Sequence, residues 1–261
     1  GNDLPYLLFL PTYAATAWYH RRLSKDLQAD LRRTLDKVEA FARDEYAPAL
    51  FQGASLPARD REATVMALAR YTGLSPDYVE QANLRINIHR YVKELLRDER
   101  RTVGRLDSRF TGIDRDAAGE KAEYDPSYAL IQGPYTAALN DYVRTELGYE
   151  SDLPYEILTD RVRPWSYDEH QNEFVNVAET LRESMSKNPS LRVFVACGTY
   201  DLATPYFATQ HTINHLHLDP SLLGNIALST YEAGHMMYIH EPSLAQVKAD
   251  LADFIQSAAS R

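Results

Sequence analysis

The stretches L-R-V-F-V-A-C-G-T-Y-D at residues 191–201 and N-I-A-L-S-T-Y-E-A-G-H at residues 225–235 decide the fold. Each begins with a short apolar, β-branched run and continues into a loop with a titratable residue. Such runs predict strands at residues 191–197 and 225–231, buried on both faces. Helical patterns follow at residues 204–216 and 242–258. This alternation predicts an α/β arrangement, with parallel strands covered by helices.

The chain upstream of Pro189 has a mostly helical pattern. Apolar residues recur there at the spacing of an amphipathic helix. Helices are predicted at residues 24–50, 59–71, 87–96, 133–147 and 174–185, with a further short helix that opens at Ser75-Pro76. The polar stretch at residues 98–124 predicts a surface loop or an excursion from the helical part.

Composition excludes several classes of protein. The 261 residues carry a net charge of −9, which argues against nucleic acid or anionic membrane as the main partner. No apolar run approaches the roughly 20 residues that a membrane span needs. Cys197 is the single cysteine, so the chain can form neither an internal disulfide nor a multi-cysteine zinc site. We expect a globular chain that requires no cofactor.

The spacing of the 11 glycines excludes common catalytic motifs. No two glycines are four residues apart, so the chain has no G-x-S-x-G nucleophile elbow. None are close enough for a glycine-rich phosphate loop or a dinucleotide fingerprint. Nucleotide chemistry of the usual kinds is therefore not expected.

Asp201 and His235 are the candidate catalytic residues. Each follows one of the two predicted strands, and the carboxyl ends of parallel strands meet at one edge of a sheet. A carboxylate beside an imidazole fixes its tautomer and lets it act as a general base. A plain structural interpretation stays open from spacing alone, with Asp201 capping the next helix and His235 an ordinary buried polar residue.

The motifs G-T-Y-D-L-A-T-P at residues 198–205 and Y-E-A-G-H-M-M-Y at residues 231–238 resemble the Asp and His motifs of serine carboxypeptidases. These are peptidases of the α/β-hydrolase fold with a Ser-Asp-His triad. The resemblance implies that Asp201 is the triad acid, His235 the base, and Met236 part of the pocket for the leaving residue. Among the many tyrosines, Tyr13, Tyr19 and Tyr238 are predicted to lie nearest the substrate cleft.

The resemblance also implies an organisation of the chain. Residues 1–23 would lead into a mainly helical cap at residues 24–165, and residues 166–261 would form the C-terminal strands and helices of an α/β-hydrolase. The family's G-E-S-Y-G elbow and its oxyanion loop are absent. We therefore expect a C-terminal fragment, or one chain of a nicked enzyme, that is inactive alone. Its expected partners are a peptide substrate and the N-terminal portion of the same protein, which would supply the serine and the oxyanion hole.

Other interpretations remain open at this stage. The chain could be a non-catalytic binding module, or a metal-dependent hydrolase that uses His211 and His215, which lie one helical turn apart. The arginines at positions 97, 100, 101 and 105 predict a charged surface, with recognition of a substrate carboxylate as the alternative. The sequence leaves the cellular compartment open, although the family resemblance favours an exported or periplasmic protein.

Overall fold

The computed structural model describes residues 2–259, which form a mixed fold of helices and short strands. The helices, in chain order, are α1 (Leu4–Tyr19), α2 (Lys25–Gln28), α3 (Leu31–Phe41), α4 (Ala47–Gln52), α5 (Ala58–Thr72), α6 (Pro76–Gln81), α7 (Ile88–Glu94), α8 (Pro126–Thr145), α9 (Ala178–Lys187), α10 (Tyr206–Asn214) and α11 (Glu241–Ala259). The strands are β1 (Thr102–Val103), β2 (Thr111–Gly112), β3 (Val193–Gly198) and β4 (Ile226–Tyr231). The prediction of a chain with both helices and strands is confirmed at this level. Across residues 2–259 the strands form two separate pairs and no larger central sheet.

Helix α1 is enclosed by other helices. Its residues 10–17 are all buried, and it packs against α3, α5 and α10. Pro5 lies in the first turn, where a backbone N–H would have no partner within the helix, so its absence costs no hydrogen bond. Pro11 lies inside the helix. A helix that is apolar on every side needs neighbours all round, so α1 becomes the centre of the N-terminal half.

The single helix predicted over residues 24–50 is divided in the structure. The carboxylate of Asp30 accepts the backbone N–H of Arg33 at 3.0 Å and caps the start of α3. A π-helical turn at Ala42–Tyr46 then joins α3 to α4. The apolar spacing is preserved through these breaks, and a capping carboxylate inside the pattern restarts the helix.

The helix predicted at residues 133–147 begins earlier, as α8. The carboxylate of Asp125 accepts the backbone N–H of Ser127 at 3.0 Å and caps the helix, so Pro134 lies inside it. The helix predicted at residues 174–185 is α9, which begins four residues later, at Ala178. The remaining predicted helices agree with α5, α6, α7, α10 and α11 to within about two residues at each end.

The polar stretch at residues 98–124 is only partly the surface loop that its composition predicts, since residues 113–124 are exposed or partly buried whereas the first part contains buried residues. Strands β1 and β2 pair antiparallel within it, and Asp107 and Ser108 are buried. The backbone N–H of Ser108 donates to the carbonyl of Tyr200 at 3.0 Å, and that of Leu202 donates to the carbonyl of Arg105 at 3.0 Å. This part of the stretch is buried because its backbone forms hydrogen bonds with the loop that follows β3.

Strands β3 and β4 pair in parallel, with Val193 opposite Ile226 and Gly198 opposite Tyr231. This is the arrangement that the alternation of strands and helices predicts. The prediction that both strands are buried on two faces is wrong, because residues 193–196 and 226–229 are only partly buried. Nowhere in the described chain does a third strand pair with either one. The loops that follow the two strands leave the same edge and come together there.

One hydrophobic core connects all three segments into which the sequence was divided. Leu10 of α1, Tyr91 of α7 and Leu202 beyond β3 belong to the same buried cluster. A smaller cluster contains Met185 of α9, and Val193 of β3 packs against it. The parallel strand pair is thus attached to the helical part by continuous apolar packing.

Large apolar side chains are exposed in the second half of the chain. They lie on α8, on the irregular stretch at residues 146–177 and on α11, and include Leu139, Tyr155, Trp165, Phe174 and Ile255. A surface this rich in large apolar groups usually marks an interaction site. Over residues 2–259, no helix has both the length and the apolar character required to cross a membrane.

Candidate active site

The carboxylate of Asp201 is buried and held in a fixed orientation just beyond β3. Its Oδ1 accepts the backbone N–H groups of Ala203 at 2.7 Å and Thr204 at 3.0 Å. Its Oδ2 accepts the hydroxyl of Thr204 at 2.7 Å. The residue is only 3% exposed, so these bonds replace the water that a buried carboxylate loses.

His235 lies in the loop after β4 and faces that carboxylate. Its backbone N–H donates to the carbonyl of Leu106 at 2.7 Å, which sets the position of the residue. Its ring Nδ1 lies 2.8 Å from Oδ2 of Asp201 and 3.2 Å from the hydroxyl of Thr204. The side chain is 42% exposed. The structure therefore brings the two predicted catalytic residues together, with the acid buried and the base open to solvent.

The protonation of this pair follows from its geometry. An ionised carboxylate only accepts hydrogen bonds, so Nδ1 of His235 carries the proton and Nε2 holds the free lone pair. The hydrogen bond to Asp201 raises the pKa of His235, against the opposing effects of partial burial and the charge of Arg105. No hydroxyl or thiol in the described chain hydrogen-bonds to Nε2. The lone pair of Nε2 is therefore not engaged by a side chain within residues 2–259.

A third segment, at residues 105–109, contacts both the loop of Asp201 and the loop of His235. Besides the backbone bonds to the loop after β3, the carboxylate of Asp107 accepts the backbone N–H of Gly234 at 3.1 Å. The carbonyl of Leu106 accepts the N–H of His235. The same short segment therefore holds both the loop of Asp201 and the loop of His235.

Asp107 and Arg109 form a buried ion pair at the centre of this segment. The Nε and Nη2 atoms of Arg109 donate to the two carboxylate oxygens of Asp107 at 3.0 and 2.7 Å. Its Nη1 donates to the carbonyl of Glu232 at 3.0 Å. The side chain of Arg109 is 12% exposed and that of Asp107 is 1% exposed. This two-pronged pair, which we call the Asp107–Arg109 clamp, ties the loop of His235 to the third segment.

The Asp107–Arg109 clamp and Thr204 were missed by sequence reasoning. Residues 98–124 have no apolar periodicity, so nothing in their pattern indicates burial. The available signal is the D-x-R spacing between Gly104 and Gly112, since glycines beside charged residues mark places where backbones approach closely. Thr204 is identifiable only through the capping geometry of Asp201.

The predicted pocket residues lie in different environments. Met236, next to His235, is 8% exposed, whereas Tyr238 is half-exposed. Tyr19, at the end of α1, is 45% exposed and meets the ring of Tyr200 edge-on with centroids 5.5 Å apart. Of the predicted substrate-binding tyrosines, Tyr19 and Tyr238 therefore have surface available to a ligand.

Tyr13 lies in the helical core, away from any cleft. It is 2% exposed, its ring stacks on Tyr91 at 4.1 Å between centroids, and its hydroxyl donates to the carbonyl of Ile86 at 3.2 Å. The predicted substrate-binding role is therefore corrected to a core role. It comes from the same helix as Tyr19, but the two side chains have opposite exposures.

A cavity of about 410 Å³ opens beside the loop of His235. It is lined by Tyr19, Arg109, Phe110, Glu232, Ile239 and His240. The lining combines the end of α1, the third segment and both flanks of the His235 loop. This is the cavity whose walls come from the elements that build the candidate site.

His211 and His215 do not form a metal centre with other residues. Their rings lie 3.9 Å apart between centroids, and Nδ1 of His215 donates to the carbonyl of His211 at 2.7 Å. Among residues 2–259, no group of three or more His, Cys, Asp or Glu side chains is arranged to hold a metal ion. A catalytic metal needs at least three protein ligands as a rule, so this pair alone does not fit one.

The predicted arginine cluster is divided between different environments. Arg97 donates to the carboxylate of Glu94 at 2.5 Å and also donates to backbone carbonyls, so its charge is already paired within the chain. Arg100 and Arg101 are exposed, and Arg105 belongs to the third segment of the site.

Cys197 is 6% exposed, and burial raises the pKa of its thiol, which is the opposite of what a nucleophile needs.

Comparison with known proteins identifies no relative. No family model matches the chain, no curated protein is similar to it, and no solved structure is similar to it. The chemistry of the site therefore rests on its own geometry.

Proposed function

We propose that this chain carries the acid and base, Asp201 and His235, of a serine-type carboxypeptidase that hydrolyses peptide bonds at C-termini. The observation that carries the proposal is the 2.8 Å contact between Nδ1 of His235 and the buried carboxylate of Asp201. That contact leaves Nε2 free at a half-exposed position, which is the arrangement that general base catalysis by a triad requires.

Each residue has a defined role in this proposal. Nε2 of His235 removes the proton from a serine hydroxyl as the serine oxygen attacks the scissile carbonyl, and later delivers that proton to the leaving amine. Asp201 holds the imidazole in the correct tautomer and stabilises the imidazolium. The Thr204 hydroxyl supports the carboxylate oxygen that faces the ring, and Met236 borders the space for the leaving residue.

The serine and the oxyanion donors come, in this proposal, from another polypeptide, most simply the N-terminal portion of the same gene product. Two observations support that assignment. No described hydroxyl lies at Nε2 of His235, and the sequence has no nucleophile elbow. Strands β3 and β4 are also only partly buried, as strands are when neighbours that should flank them are missing.

The proposed assembly is an α/β-hydrolase. Its sheet would be completed when the missing strands pair beside β3 and β4, and the helical residues 24–165 would form a cap above the strand ends. The exposed apolar side chains on α8, on residues 146–177 and on α11 give such a partner surface to cover. The substrate in this proposal is a peptide.

A fluorophosphonate probe tests the proposal. Residues 1–261 alone should not be labelled, because base and acid cannot replace a nucleophile and oxyanion donors. The protein expressed with the preceding part of its reading frame should be labelled on a serine in that part. Labelling of a serine within residues 1–261 at the rate of a serine hydrolase would overturn the proposal.

Two variants of the assembled protein separate catalysis from folding. His235→Ala should abolish peptide hydrolysis, and Asp201→Asn should lower it by about 10⁴-fold because an amide fixes the wrong imidazole tautomer. The matched control is His89→Ala, since His89 is an exposed histidine on α7 whose side chain forms no hydrogen bond. Full activity of His235→Ala would remove the triad assignment.

A further inference from the structure

The cavity beside the loop of His235 contains one carboxylate whose charge is not balanced. The side chain of Glu232 forms no hydrogen bond or ion pair within residues 2–259, whereas its backbone carbonyl is bound by Arg109. The residue is exposed towards the cavity that it lines. An unpaired carboxylate in a concave surface attracts a cation.

Arg109 does not cancel this negative charge. Its guanidinium is engaged by both oxygens of Asp107 in the clamp, and that pair is neutral as a unit. The third donating nitrogen is bound to the carbonyl of Glu232. His240, the other titratable group of the lining besides Tyr19, uses Nδ1 in a 2.8 Å hydrogen bond with Ser243. The cavity therefore has a net negative charge, which Glu232 supplies.

Two aromatic rings complete the walls. Tyr19 and Phe110 line the cavity, and Tyr19 is 45% exposed. Aromatic faces attract ammonium and guanidinium groups, and more strongly where water is partly excluded. Tyr200 is 0% exposed, and its hydroxyl has no hydrogen-bond partner. Burial is the largest cause that raises the pKa of this phenol, and the negative charge of Glu232 is the next.

The position of Glu232 is fixed relative to the catalytic base. Glu232 precedes His235 by three residues, and the loop between them is held at both ends. The carbonyl of Ala233 accepts the backbone N–H of Tyr200 at 2.9 Å, and the N–H of Gly234 donates to Asp107 at 3.1 Å. The backbone of Glu232 is therefore held close to His235, so a group bound at its carboxylate lies near the reacting centre.

We propose that this cavity is a specificity subsite for a basic side chain, lysine or arginine, of the peptide substrate, with Glu232 as the residue that recognises the cation. The inference rests on the proposed peptidase function and names its substrate class. The cation's charge is met by the carboxylate of Glu232, and its aliphatic stem lies along Tyr19 and Phe110. An acidic side chain or a free carboxylate is disfavoured because the one cation of the lining, Arg109, is already paired.

Binding of small capped amino acids to the full chain tests the subsite without any catalytic step. The probes are N-acetyl-arginine amide, its uncharged analogue N-acetyl-citrulline amide, and N-acetyl-glutamate amide, measured by NMR shift titration. The arginine probe should bind about tenfold more tightly than the citrulline probe, since the two differ in charge and hardly in shape. Glu232→Gln should reduce that ratio to about one.

The matched control is Glu241→Gln, which removes the same charge from an exposed carboxylate at the start of α11 that does not line the cavity. It should leave the preference for arginine intact. Equal binding of the arginine and citrulline probes, no detectable binding of either, tighter binding of the glutamate probe, or a preference that survives Glu232→Gln would each overturn the inference. His235→Ala should keep the arginine preference in this binding assay and abolish peptide hydrolysis in the assembled protein, so failure of the subsite and failure of the proposed function are distinguishable.

Discussion

Gly198, at the end of β3, lies directly against the backbone of Gly234, the residue before His235. A β-carbon built on Gly198 would be 2.2 Å from the carbonyl oxygen of Gly234 and 2.6 Å from that of Ala233. A β-carbon on Gly234 would in turn be 2.4 Å from Cβ of Asp107. The three segments of the site therefore meet at a distance that only glycine allows.

Gly198→Ala should separate the loops of Asp201 and His235. Backbone atoms cannot move aside as a flexible side chain can, so we expect a loss of about 3 kcal/mol in the free energy of unfolding. Denaturant unfolding measures this change. Loss of the downfield Nδ1 proton signal of His235 in NMR spectra would report the broken contact with Asp201.

The control for that substitution is Gly224→Ala. No atom lies within 4 Å of a β-carbon built on Gly224, and its φ is outside the left-handed region. We expect stability to stay the same or rise by up to about 1 kcal/mol. Equal effects of the two substitutions would show that close approach at Gly198 is not what matters.

The contribution of the Asp201–His235 pair to the stability of the fold should decrease as the pH rises. The pKa of His235 is raised above its ordinary value of 6.5 by the hydrogen bond to Asp201. The folded state therefore binds the proton more tightly than the unfolded state does. The resulting stabilisation is fully present below about pH 6.5 and is lost as the pH rises through the pKa of the folded protein.

Urea unfolding of the wild type and of His235→Gln at several pH values measures this effect. The difference between the two proteins should shrink as the pH rises from about 5.5 to 8.5. The comparison is needed because burial lowers the pKa of His20, which makes the opposite contribution in both proteins. A difference that grows with pH would contradict the raised pKa.

Asp107→Asn should destabilise the protein through the clamp. The guanidinium of Arg109 is 12% exposed and would lose its charged partner, and breaking such a buried pair typically costs about 3 kcal/mol. Thermal unfolding measures the loss. Asp36→Asn is the control, because the pair between Arg32 and Asp36 is solvent-exposed and should contribute at most about 0.5 kcal/mol. If the two variants have similar melting temperatures, the clamp does not support the site.

The exposed apolar surface should make residues 1–261 bind hydrophobic dyes and self-associate when isolated. Replacing Leu251 and Ile255 on α11 by Gln should reduce dye binding without lowering the melting temperature, since both side chains are exposed in this chain. Lys248→Gln on the same helix is the control and should leave dye binding unchanged. A monodisperse monomer that binds no hydrophobic dye would contradict the proposed partner.

The pairing of Asp201 with His235 could be predicted from sequence because it depends on local signals. Two β-branched runs followed by helical patterns require parallel strands, and their C-terminal loops must then meet. The third segment could not be predicted in this way. Asp107 contacts Gly234, which lies 127 residues away in the sequence. A polar stretch without periodicity does not indicate which distant segment it will contact. Tyr13 and Tyr19 show the same limit, since composition does not tell which face of α1 is enclosed.

The hydrogen bond between Asp107 and Gly234 also closes a long chain loop of 127 residues. The entropy of closing such a loop grows only with the logarithm of its length, so doubling it would cost about 0.6 kcal/mol. All of α8 and the irregular stretch at residues 146–177 lie within this loop, and the main core contains none of their residues. Insertions and deletions there should therefore cost little stability, so this part of the chain can change in length and shape while the Asp201–His235 contact keeps its geometry.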